Sequence, residues 1–249
     1  MINLELPEKL KQTQQMAQQL ASGVFRPISR KYDKAEHAYP KELDLLAALL
    51  DGMNAGSPDA IGATSASKRG AAREQQEGVK NGGNLSALLG VMELCWGDVG
   101  LLLAMPRQAL GNAAIAAVAN DEQLARFGGT WAAMAITEPG FGSDSAAVRT
   151  TAIRDGDEYI INGEKIYVTS GERADCVVVW ASVDRSLGRA AIKSFIVEKG
   201  TPGMEVVRLE KKLGIKASDT AAITFTDCRI PASNLLGDPE VNVEKGFAG

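Results

Sequence analysis

The stretch AITEPGFGSD, residues 135–144, combines residue types that suit the edge of a flat polar ligand. Thr137 and Ser143 carry hydroxyl groups that can hydrogen-bond such an edge, and Gly142 lets the backbone approach the ligand closely. This pattern indicates binding and orientation of a planar cofactor or substrate. The alternative interpretation is a tight turn exposed to solvent, which composition alone favours.

The same stretch fits an exposed turn residue by residue. Pro139 would fix φ, Gly140 would supply a positive φ, and Asp144 would cap a backbone amide. A dinucleotide fingerprint is excluded, because GFGSDS at 140–145 runs into an alternating, strand-like pattern instead of a helix and has Ser145 at the third glycine position. A P-loop is excluded because no Gly-Lys-Ser/Thr follows.

A second stretch, KIYVTS at 165–170, adds an aromatic ring and a hydroxyl group. In a strand, Tyr167 and Thr169 point to one face, and Ile166 and Val168 point to the other. A ring beside a hydroxyl could stack on a planar heterocycle and hydrogen-bond to it. Taken alone, the pair is typical of a solvated sheet face. Only the two stretches together favour a ligand site.

The overall composition limits the function classes. The 249 residues, with 45% hydrophobic and 23% charged residues, fit a soluble globular protein of one large or two ordinary domains. The net charge of −4 argues against nucleic acid as a partner. The N-terminus lacks the features of a signal peptide, and the uninterrupted apolar runs at 101–105 and 176–181 are too short to span a bilayer. We expect no membrane insertion and a cytoplasmic location, or the mitochondrial matrix in a eukaryote.

The cysteines and the histidine predict neither a metal site nor a hydrolytic triad. Cys95, Cys176 and Cys228 are odd in number, widely spaced and in no CxxC pair. We expect three small buried side chains instead of a disulfide framework or a zinc site. His37 has no GxSxG nucleophile pattern nearby, so we expect a histidine at the surface or an interface.

Residues 1–129 predict a helical domain. Apolar residues recur at steps of about three or four over 7–34 and predict one buried helical stripe, formed by Leu10, Met16, Leu20, Val24 and Ile28. Four more helical patterns follow, at 41–50, 84–105, 108–119 and 121–128. Between them, residues 51–82 are rich in Gly, Ser, Ala and charge and predict a long loop or mobile insertion.

From residue 130 to 237 the hydrophobic period changes to two. Asn162-Gly163, flanked by runs rich in Ile, Tyr and Val, predicts a β-hairpin. Further strands are predicted at 174–182, 191–198, 204–211 and 220–230. Because no helix of useful length separates the strands, we expect no parallel crossovers and a largely antiparallel sheet. The predicted fold class is α+β multidomain: an N-terminal all-α domain, then an antiparallel β-barrel or sandwich.

Several stretches, in this order, resemble the acyl-CoA dehydrogenases: residues 85–104, 135–144, 155–175, 194–206 and 223–237. The resemblance implies FAD-dependent α,β-dehydrogenation of an acyl-CoA thioester, in which a carboxylate removes the α-proton and hydride passes from the β-carbon to flavin N5. It also implies electron-transfer flavoprotein or a similar electron acceptor as a partner, and a homo- or hetero-oligomer.

The resemblance implies seven cofactor-binding positions: Met134, Ile136, Thr137, Gly142, Ser143, Tyr167 and Thr169. The first three would line the isoalloxazine. Gly142 and Ser143 would reach the flavin phosphates and the acyl-CoA pantetheine arm, so that Ser143 is also a substrate-binding residue. Tyr167 would pack beside the ring system, and Thr169 would hydrogen-bond near N5. Met134 stands where an aromatic residue is frequent in the family, and Tyr167 stands where Trp or Phe is usual. Both remain suitable flavin neighbours.

In the family, a C-terminal helical bundle usually provides the catalytic glutamate, adenine-side FAD contacts and the subunit interface. We expect residues 238–249 to begin the linker to such a bundle, and the chain to be the N-terminal and middle part of the enzyme. No catalytic residue is assigned in it. Glu138 is interpreted as a structural turn residue, because Thr precedes it and Pro-Gly follows. The alternatives are a non-catalytic partner subunit, and a flavin oxidase or monooxygenase with the same fold.

Overall fold

A computed structural model describes residues 6–54, 82–107 and 110–241 of the chain. Its contacts form two compact units, which are described separately. The helical unit comprises Met1–Met105 with Lys211–Ser218, and the sheet unit comprises Pro106–Glu210 with Asp219–Gly249. An N-terminal set of helices followed by a mostly antiparallel sheet confirms the predicted fold class.

The helical unit begins with a long helix interrupted by one wide turn. Helix α1 spans Glu8–Leu20, a π-helical turn spans Ala21–Phe25, and α2 spans Arg26–Lys34. The turn lies just before Pro27, which lacks the N–H that would bond the carbonyl four residues earlier. The predicted stripe is confirmed in part, because Leu20, Val24 and Ile28 are half-buried against the core. The buried residues of this segment coincide with the stripe only at Leu10. They are Leu10, Ala17, Ala21, Phe25 and Tyr32, whereas Met16 is 48% exposed.

Two further helices complete this unit in the described part of the chain. Helix α3 spans Glu42–Asn54 and α4 spans Gly82–Leu103. Gly97 of α4 lies so close to the π-helical turn that a Cβ atom there would stand 2.9 Å from the Cβ of Ala21. Residues 51–54 and residue 82, assigned to a loop by composition, are helical, and the rest of that predicted loop lies outside the described residues.

Helix α4 is more apolar than its uninterrupted runs indicate. By length and composition alone, Leu85–Leu103 could cross a membrane, with a mean hydropathy of 1.5 and 22% of the segment buried. The sequence-based expectation missed this because Glu93 and Asp98 break the run without lowering the average much. A core helix of a soluble protein meets the same test. At Asp98 the backbone is extended, so the helix is kinked there.

In its described residues, the sheet unit contains two α-helices and eight strands. Helix α5 spans Leu110–Val118, and α6 spans Asp121–Phe127 behind a capping box formed by Asn120 and Gln123. The strands are β1 Ala132–Ala135, β2 Thr151–Asp155, β3 Glu158–Thr169, β4 Cys176–Ser182, β5 Ile192–Glu198, β6 Met204–Leu209, β7 Thr220–Pro231 and β8 Leu235–Leu236. The main path of the sheet is β6-β7-β3-β2-β4-β5-β8.

One strand pairing departs from the expected antiparallel pattern. Strand β1 runs parallel to the start of β4, with Met134 opposite Val178, and β2 touches the end of β4 in the same parallel sense. The expectation assumed that only a helix could carry the chain between parallel strands. Here the connection from β1 to β4 consists of the turn and loop after β1, the β2–β3 hairpin and a short segment after β3.

The predicted hairpin at Asn162-Gly163 is wrong. Strand β3 runs straight through these residues, and the turn lies at Gly156, whose φ is 61°. Asp155-Gly156 carries the same type of turn signal, and Asp155 pairs with Glu158 across it. Asn162 instead occupies a register shift between β3 and β7, where its side-chain oxygen accepts a hydrogen bond from the backbone N–H of Asp227.

The helices α5 and α6 explain why the sheet unit begins before the predicted domain boundary at residue 129. Phe127 and Ile115 are buried with Val178 and Ile196 of the sheet. Asn112 of α5 donates to the carbonyl of Thr130 at 2.6 Å, and its side-chain oxygen accepts from Ala132 N–H at 3.0 Å. These two helices therefore support β1, although their hydrophobic period resembles that of the preceding helices.

A carboxylate in the helical unit predicts a measurable pH dependence. The hydrogen bonds from Lys31, at 2.7 Å, and from Tyr32 lower the pKa of Glu42 from its ordinary 4.5 to about 2. A depressed folded-state pKa means that the stabilisation is present above pH 4.5 and is lost as the pH falls toward 2. We expect the thermal unfolding midpoint of Glu42→Gln to fall less than that of wild type as the pH is lowered from 4.5 toward 2. Glu205→Gln, at an exposed strand position, is the control, and parallel curves for wild type and Glu42→Gln would contradict the prediction.

Candidate functional site

Strand β1 brings the first predicted stretch to the sheet. Small residues allow its close packing: Ala132, Ala133 and Ala135 are buried, whereas Met134 is half-buried. Ile136 and Thr137 continue the strand and are also half-buried.

The residues after β1 form the tight turn that composition predicts. Phe141 N–H donates to the Glu138 carbonyl at 3.0 Å, and Gly140 has a φ of 84°. Pro139 followed by a glycine of positive φ is the arrangement of a type II turn. One detail is wrong, because Asp144 makes no side-chain cap to the short helix that follows it.

Gly142 and Ser143 lie beyond this turn and are exposed. A Cβ atom at Gly142 would meet no other described atom within 4 Å, and the φ of Gly142 is not positive. Neither packing nor backbone conformation within the described chain therefore requires glycine here. Open space above the backbone is what the approach of a ligand needs.

The second predicted stretch forms the end of β3 and contains a β-bulge. Lys165 pairs with Ile223 and Val168 pairs with Ala221, so two residues of β3 oppose one residue of β7. The alternation of side chains between the two faces of β3 is therefore interrupted between Lys165 and Val168. Val168 is buried, and Tyr167 is 62% exposed with a φ of 58°. Positive φ is unusual for an aromatic residue and indicates local strain.

The structure brings the two stretches side by side. The backbone N–H of Ile166 donates to the carbonyl of Thr137 at 2.9 Å. The next residue is the exposed Tyr167, and Thr169 is half-buried opposite Thr220 of β7. Thr137 is thus joined through its carbonyl to the residue before Tyr167, and the junction between the segment after β1 and the end of β3 is the edge at which the candidate site lies. Gly142 and Ser143 continue from this edge into the exposed loop.

A buried ion pair, which the sequence analysis did not identify, supports this edge. Lys165 Nζ lies 2.7 Å from Glu138 Oε1 and 3.1 Å from the Ile136 carbonyl, and the exposed fractions of the two side chains are 0% and 4%. Strict alternation would place Lys165 on the same face as Tyr167. Lys165 follows the alternation of the buried Tyr159 and Ile161 along β3, and the bulge after it is what turns Tyr167 outward and Val168 inward.

The surroundings of Glu138 keep its carboxylate ionised and confirm its structural role. Burial alone would raise its pKa, but hydrogen bonds from Lys165, from the Thr150 side chain and from Arg149 N–H lower it below the ordinary value. Burial lowers the pKa of Lys165, and Glu138 opposes that change. A carboxylate held by these donors is not available to accept a proton from a substrate.

Two cavities open on the sheet unit. One, of about 250 Å³, lies beside the loop that carries Ser143 and is lined by Phe141, Arg149, Ser182 and Arg185 among others. The other, of about 270 Å³, is lined by Arg126, Arg154 and Tyr159 and contains none of the seven predicted site residues. The first cavity is not lined by any of the seven either, but Phe141, which lines it, lies two residues before Ser143.

The cysteines do not add chemistry to the site. Cys176 and Cys228 are buried as expected, and burial raises the pKa of each thiol to about 11, so that both stay protonated at neutral pH. Cys95 differs from the expectation in being only half-buried. Within the described ranges, no three His, Cys, Asp or Glu residues lie together in a group that could hold a metal ion.

Comparison with known proteins agrees with this arrangement. Residues 133–228, which include both stretches, match the family model described as acyl-CoA dehydrogenase, middle domain. The chain is 32% identical to acryloyl-CoA reductase (NADH) of Anaerotignum propionicum, covering 95% of this chain and 58% of the relative. Residues 133–228 thus form a domain of the acyl-CoA dehydrogenase family.

Two solved structures of the family are similar to this one. Butyryl-CoA dehydrogenase from Megasphaera elsdenii is 29% identical, with a TM-score of 0.76, over 99% of this chain and 62% of that chain. A glutaryl-CoA dehydrogenase from Mycobacterium smegmatis, in complex with FADH2, is 26% identical, with a TM-score of 0.72, over 93% of this chain and 56% of that chain. The chain thus spans between 56% and 62% of the length of these three relatives.

Proposed function

We propose that the edge formed by Thr137, Tyr167 and Thr169 binds the isoalloxazine of FAD. We further propose that the protein oxidises the α,β-bond of an acyl-CoA thioester. The observation that carries the proposal is the hydrogen bond from Ile166 N–H to the Thr137 carbonyl, because it joins the two stretches on which the family resemblance depends. The FADH2 complex of the related glutaryl-CoA dehydrogenase supports the choice of cofactor.

The residues present fit a flavin. Tyr167 offers a largely exposed ring, Thr137 and Thr169 supply hydroxyl groups beside it, and Met134 adds a polarizable side chain on the adjacent strand. The unfilled space at Gly142 suits close approach of the phosphates. FAD, when bound, would accept the hydride that leaves the β-carbon of the substrate. The task of these residues would be to hold and orient the ring.

The cavity beside Ser143 suits the coenzyme A part of the substrate. Arg149 and Arg185 line it, and guanidinium groups bind phosphate through charge-assisted hydrogen bonds. The guanidinium of Arg149 also lies 4.6 Å from the centre of the Phe141 ring, and this cation–π contact helps to hold the guanidinium in place. We infer that Ser143 contacts the pantetheine arm at the entrance of this cavity.

The catalytic base is not assigned within the described residues, since Glu138 is already committed to its buried ion pair. We propose that a C-terminal helical domain supplies the base, as in the family. We also propose an oligomer and electron-transfer flavoprotein, or a similar acceptor, as a partner. The exposed apolar residues Leu88, Met92 and Trp96 of α4 support association, because apolar surface of this kind favours burial against another surface.

A second candidate function is the reverse reaction, reduction of an enoyl-CoA. It is favoured by the similarity to acryloyl-CoA reductase (NADH). The two directions use the same cofactor edge and the same thioester, so the geometry of Thr137 and Tyr167 supports both. Reduction of the bound flavin by butyryl-CoA favours dehydrogenation, whereas oxidation of NADH that depends on acryloyl-CoA favours reduction. Consumption of oxygen without an enoyl product would favour the oxidase alternative.

The test of the proposed cofactor site is a substitution that removes one hydroxyl and keeps the shape. We expect Thr169→Val to raise the dissociation constant for FAD about fivefold, since a lost hydrogen bond costs about 1 kcal/mol. Quenching of flavin fluorescence by the full chain measures this constant. Thr226→Val, at an exposed position of β7, is the control. An unchanged dissociation constant for Thr169→Val would remove Thr169 from the site.

A further inference from the structure

Lys165 is a fully buried lysine in the middle of a sheet, and its burial needs an explanation. Its exposed fraction is 0%, and its neighbours on β3 and β7 include the buried Val168 and Ile223. Removing an ammonium group from water is costly, and well-packed apolar side chains often replace a buried ion pair without loss of stability. Stability of the sheet alone therefore does not account for a lysine here.

The two described hydrogen bonds of the Lys165 ammonium group reach the residues on either side of Thr137. The ammonium group reaches the carbonyl of the residue before Thr137 at 3.1 Å and the carboxylate of the residue after it at 2.7 Å. The carbonyl of Thr137 itself accepts a hydrogen bond from the residue after Lys165 at 2.9 Å. Three consecutive residues of the turn segment are thus fixed against two consecutive residues of β3.

The carboxylate extends this network to a third segment of the chain. Glu138 accepts hydrogen bonds from Arg149 N–H at 2.6 Å and from Thr150 N–H at 2.9 Å, and Thr150 Oγ1 also donates to it. The two residues that precede β2 are therefore attached to the same charge. The network joins the end of β1, the start of β2 and the bulge of β3.

The position of Tyr167 depends on both sides of the bulge. Lys165 anchors the side before it, and the buried Val168, paired with Ala221, anchors the side after it. A φ of 58° at an aromatic residue persists only where the surroundings fix it. Without the anchor at Lys165, the bulge can relax and the ring can leave its exposed position next to Thr137.

We propose that Lys165 is a positioning residue for the flavin edge. Through Glu138 and the Ile136 carbonyl it holds Thr137 beside Tyr167. The inference rests on the proposed function as far as the ligand is concerned, and the arrangement itself can be measured without any ligand. A merely structural role of the ion pair is the competing explanation.

Two variants of the full chain separate these explanations. Lys165→Met keeps the length of the side chain and leaves the Glu138 carboxylate without its buried partner. Combining it with Glu138→Gln removes both charges and keeps one oxygen that can accept from the Thr150 amide, so we expect the double variant to regain part of the thermal stability. Lys193→Met is the control, because that lysine contacts only the Asp238 and Glu240 carbonyls among the hydrogen bonds described.

The first readout is hydrogen exchange of the Ile166 amide, followed by NMR in the ligand-free protein. We expect about tenfold faster exchange in Lys165→Met and also in the double variant, relative to the Ile161 amide in the same strand. If the ion pair were merely structural, protection of Ile166 would return with stability in the double variant. Protection equal to that of wild type in a folded double variant would overturn the proposal.

The second readout is FAD binding by the same proteins. We expect the dissociation constant to rise about tenfold in both variants, and the visible circular dichroism of the bound flavin to change at saturation, because the ring loses its fixed neighbours. If the wild type binds FAD and the folded double variant has the same dissociation constant and the same circular dichroism spectrum, this inference alone is overturned. A wild type that binds no FAD would overturn the proposed function and the flavin role of Lys165, and the exchange measurement would still decide whether Lys165 positions Thr137.

Discussion

Replacing Gly111 by alanine is expected to lower the free energy of unfolding of the sheet unit by about 3 kcal/mol, near the upper end of the usual cost of overpacking. A Cβ atom there would stand 2.2 Å from the Ala133 carbonyl oxygen and 2.4 Å from that of Ala132. Both contacts are with backbone, so no side chain can rotate away to relieve them. Helix α5 would have to move off β1, and the hydrogen bonds between Asn112 and β1 would weaken with it.

Urea unfolding followed by tryptophan fluorescence measures this effect, because Trp131 and Trp180 both belong to the sheet unit. Gly129→Ala is the matched control, since a Cβ atom at Gly129 would meet nothing within 4 Å. Equal unfolding midpoints for Gly111→Ala and Gly129→Ala would show that α5 does not pack on β1 as described. Because β1 carries Met134, we also expect weaker FAD binding in Gly111→Ala.

Truncation of Phe127 to alanine has an expected cost of about 3–5 kcal/mol, the range measured for buried phenylalanine side chains. Phe127 is 1% exposed and packs with residues of β1, β4, β5 and β8, among them Val178 and Ile196. Removing its ring would leave a cavity between α6 and the sheet. The same urea unfolding experiment provides the measurement.

Ile153→Ala is the control for Phe127→Ala. Ile153 is 53% exposed on β2, so its truncation should cost less than the loss of a buried ring. A cost for Phe127→Ala no larger than that for Ile153→Ala would contradict the assignment of α6 to the sheet unit. The two helices would then belong with the preceding ones, as the boundary at residue 129 implied.

Hydrophobic period was sufficient to predict most elements. The patterns at 84–105, 108–119 and 121–128 became α4, α5 and α6, and four strand patterns became β4 to β7 within a few residues. Burial of apolar side chains produces these patterns, on alternate residues at the start of β6 and along nearly the whole length of β4 and β5. A hydrophobic pattern does not state which element covers a buried face. The predicted boundary at residue 129 therefore grouped α5 and α6 with the preceding helices, whereas in the structure they pack on the sheet.

Turn signals were ambiguous because two of them lie close together. Asp155-Gly156 and Asn162-Gly163 both match the residue preference of a two-residue hairpin. The structure uses the first as a turn and the second as a bulge, where Asn162 bonds to Asp227 of β7. The choice depends on register with a strand more than sixty residues later, which no local pattern contains.

The candidate site was predicted in part by residue type and in part only by resemblance. Thr137, Tyr167 and Thr169 were singled out from their side chains, and the structure joins their two stretches through the hydrogen bond from Ile166 N–H to the Thr137 carbonyl. Lys165 was missed because a lysine in an alternating strand is typical of an exposed position. It shares the inward face of Tyr159 and Ile161, and the bulge that follows, which depends on pairing with β7, keeps Tyr167 off that face.

The most direct test of the central claim is an NMR titration of the full, isotopically labelled chain with FAD. The account predicts that the largest chemical-shift changes occur at the backbone amides of Thr137, Tyr167 and Thr169. Changes confined to the other cavity, around Arg126 and Tyr159, would contradict the proposed flavin edge. The absence of any change at saturating FAD would contradict flavin binding by this chain.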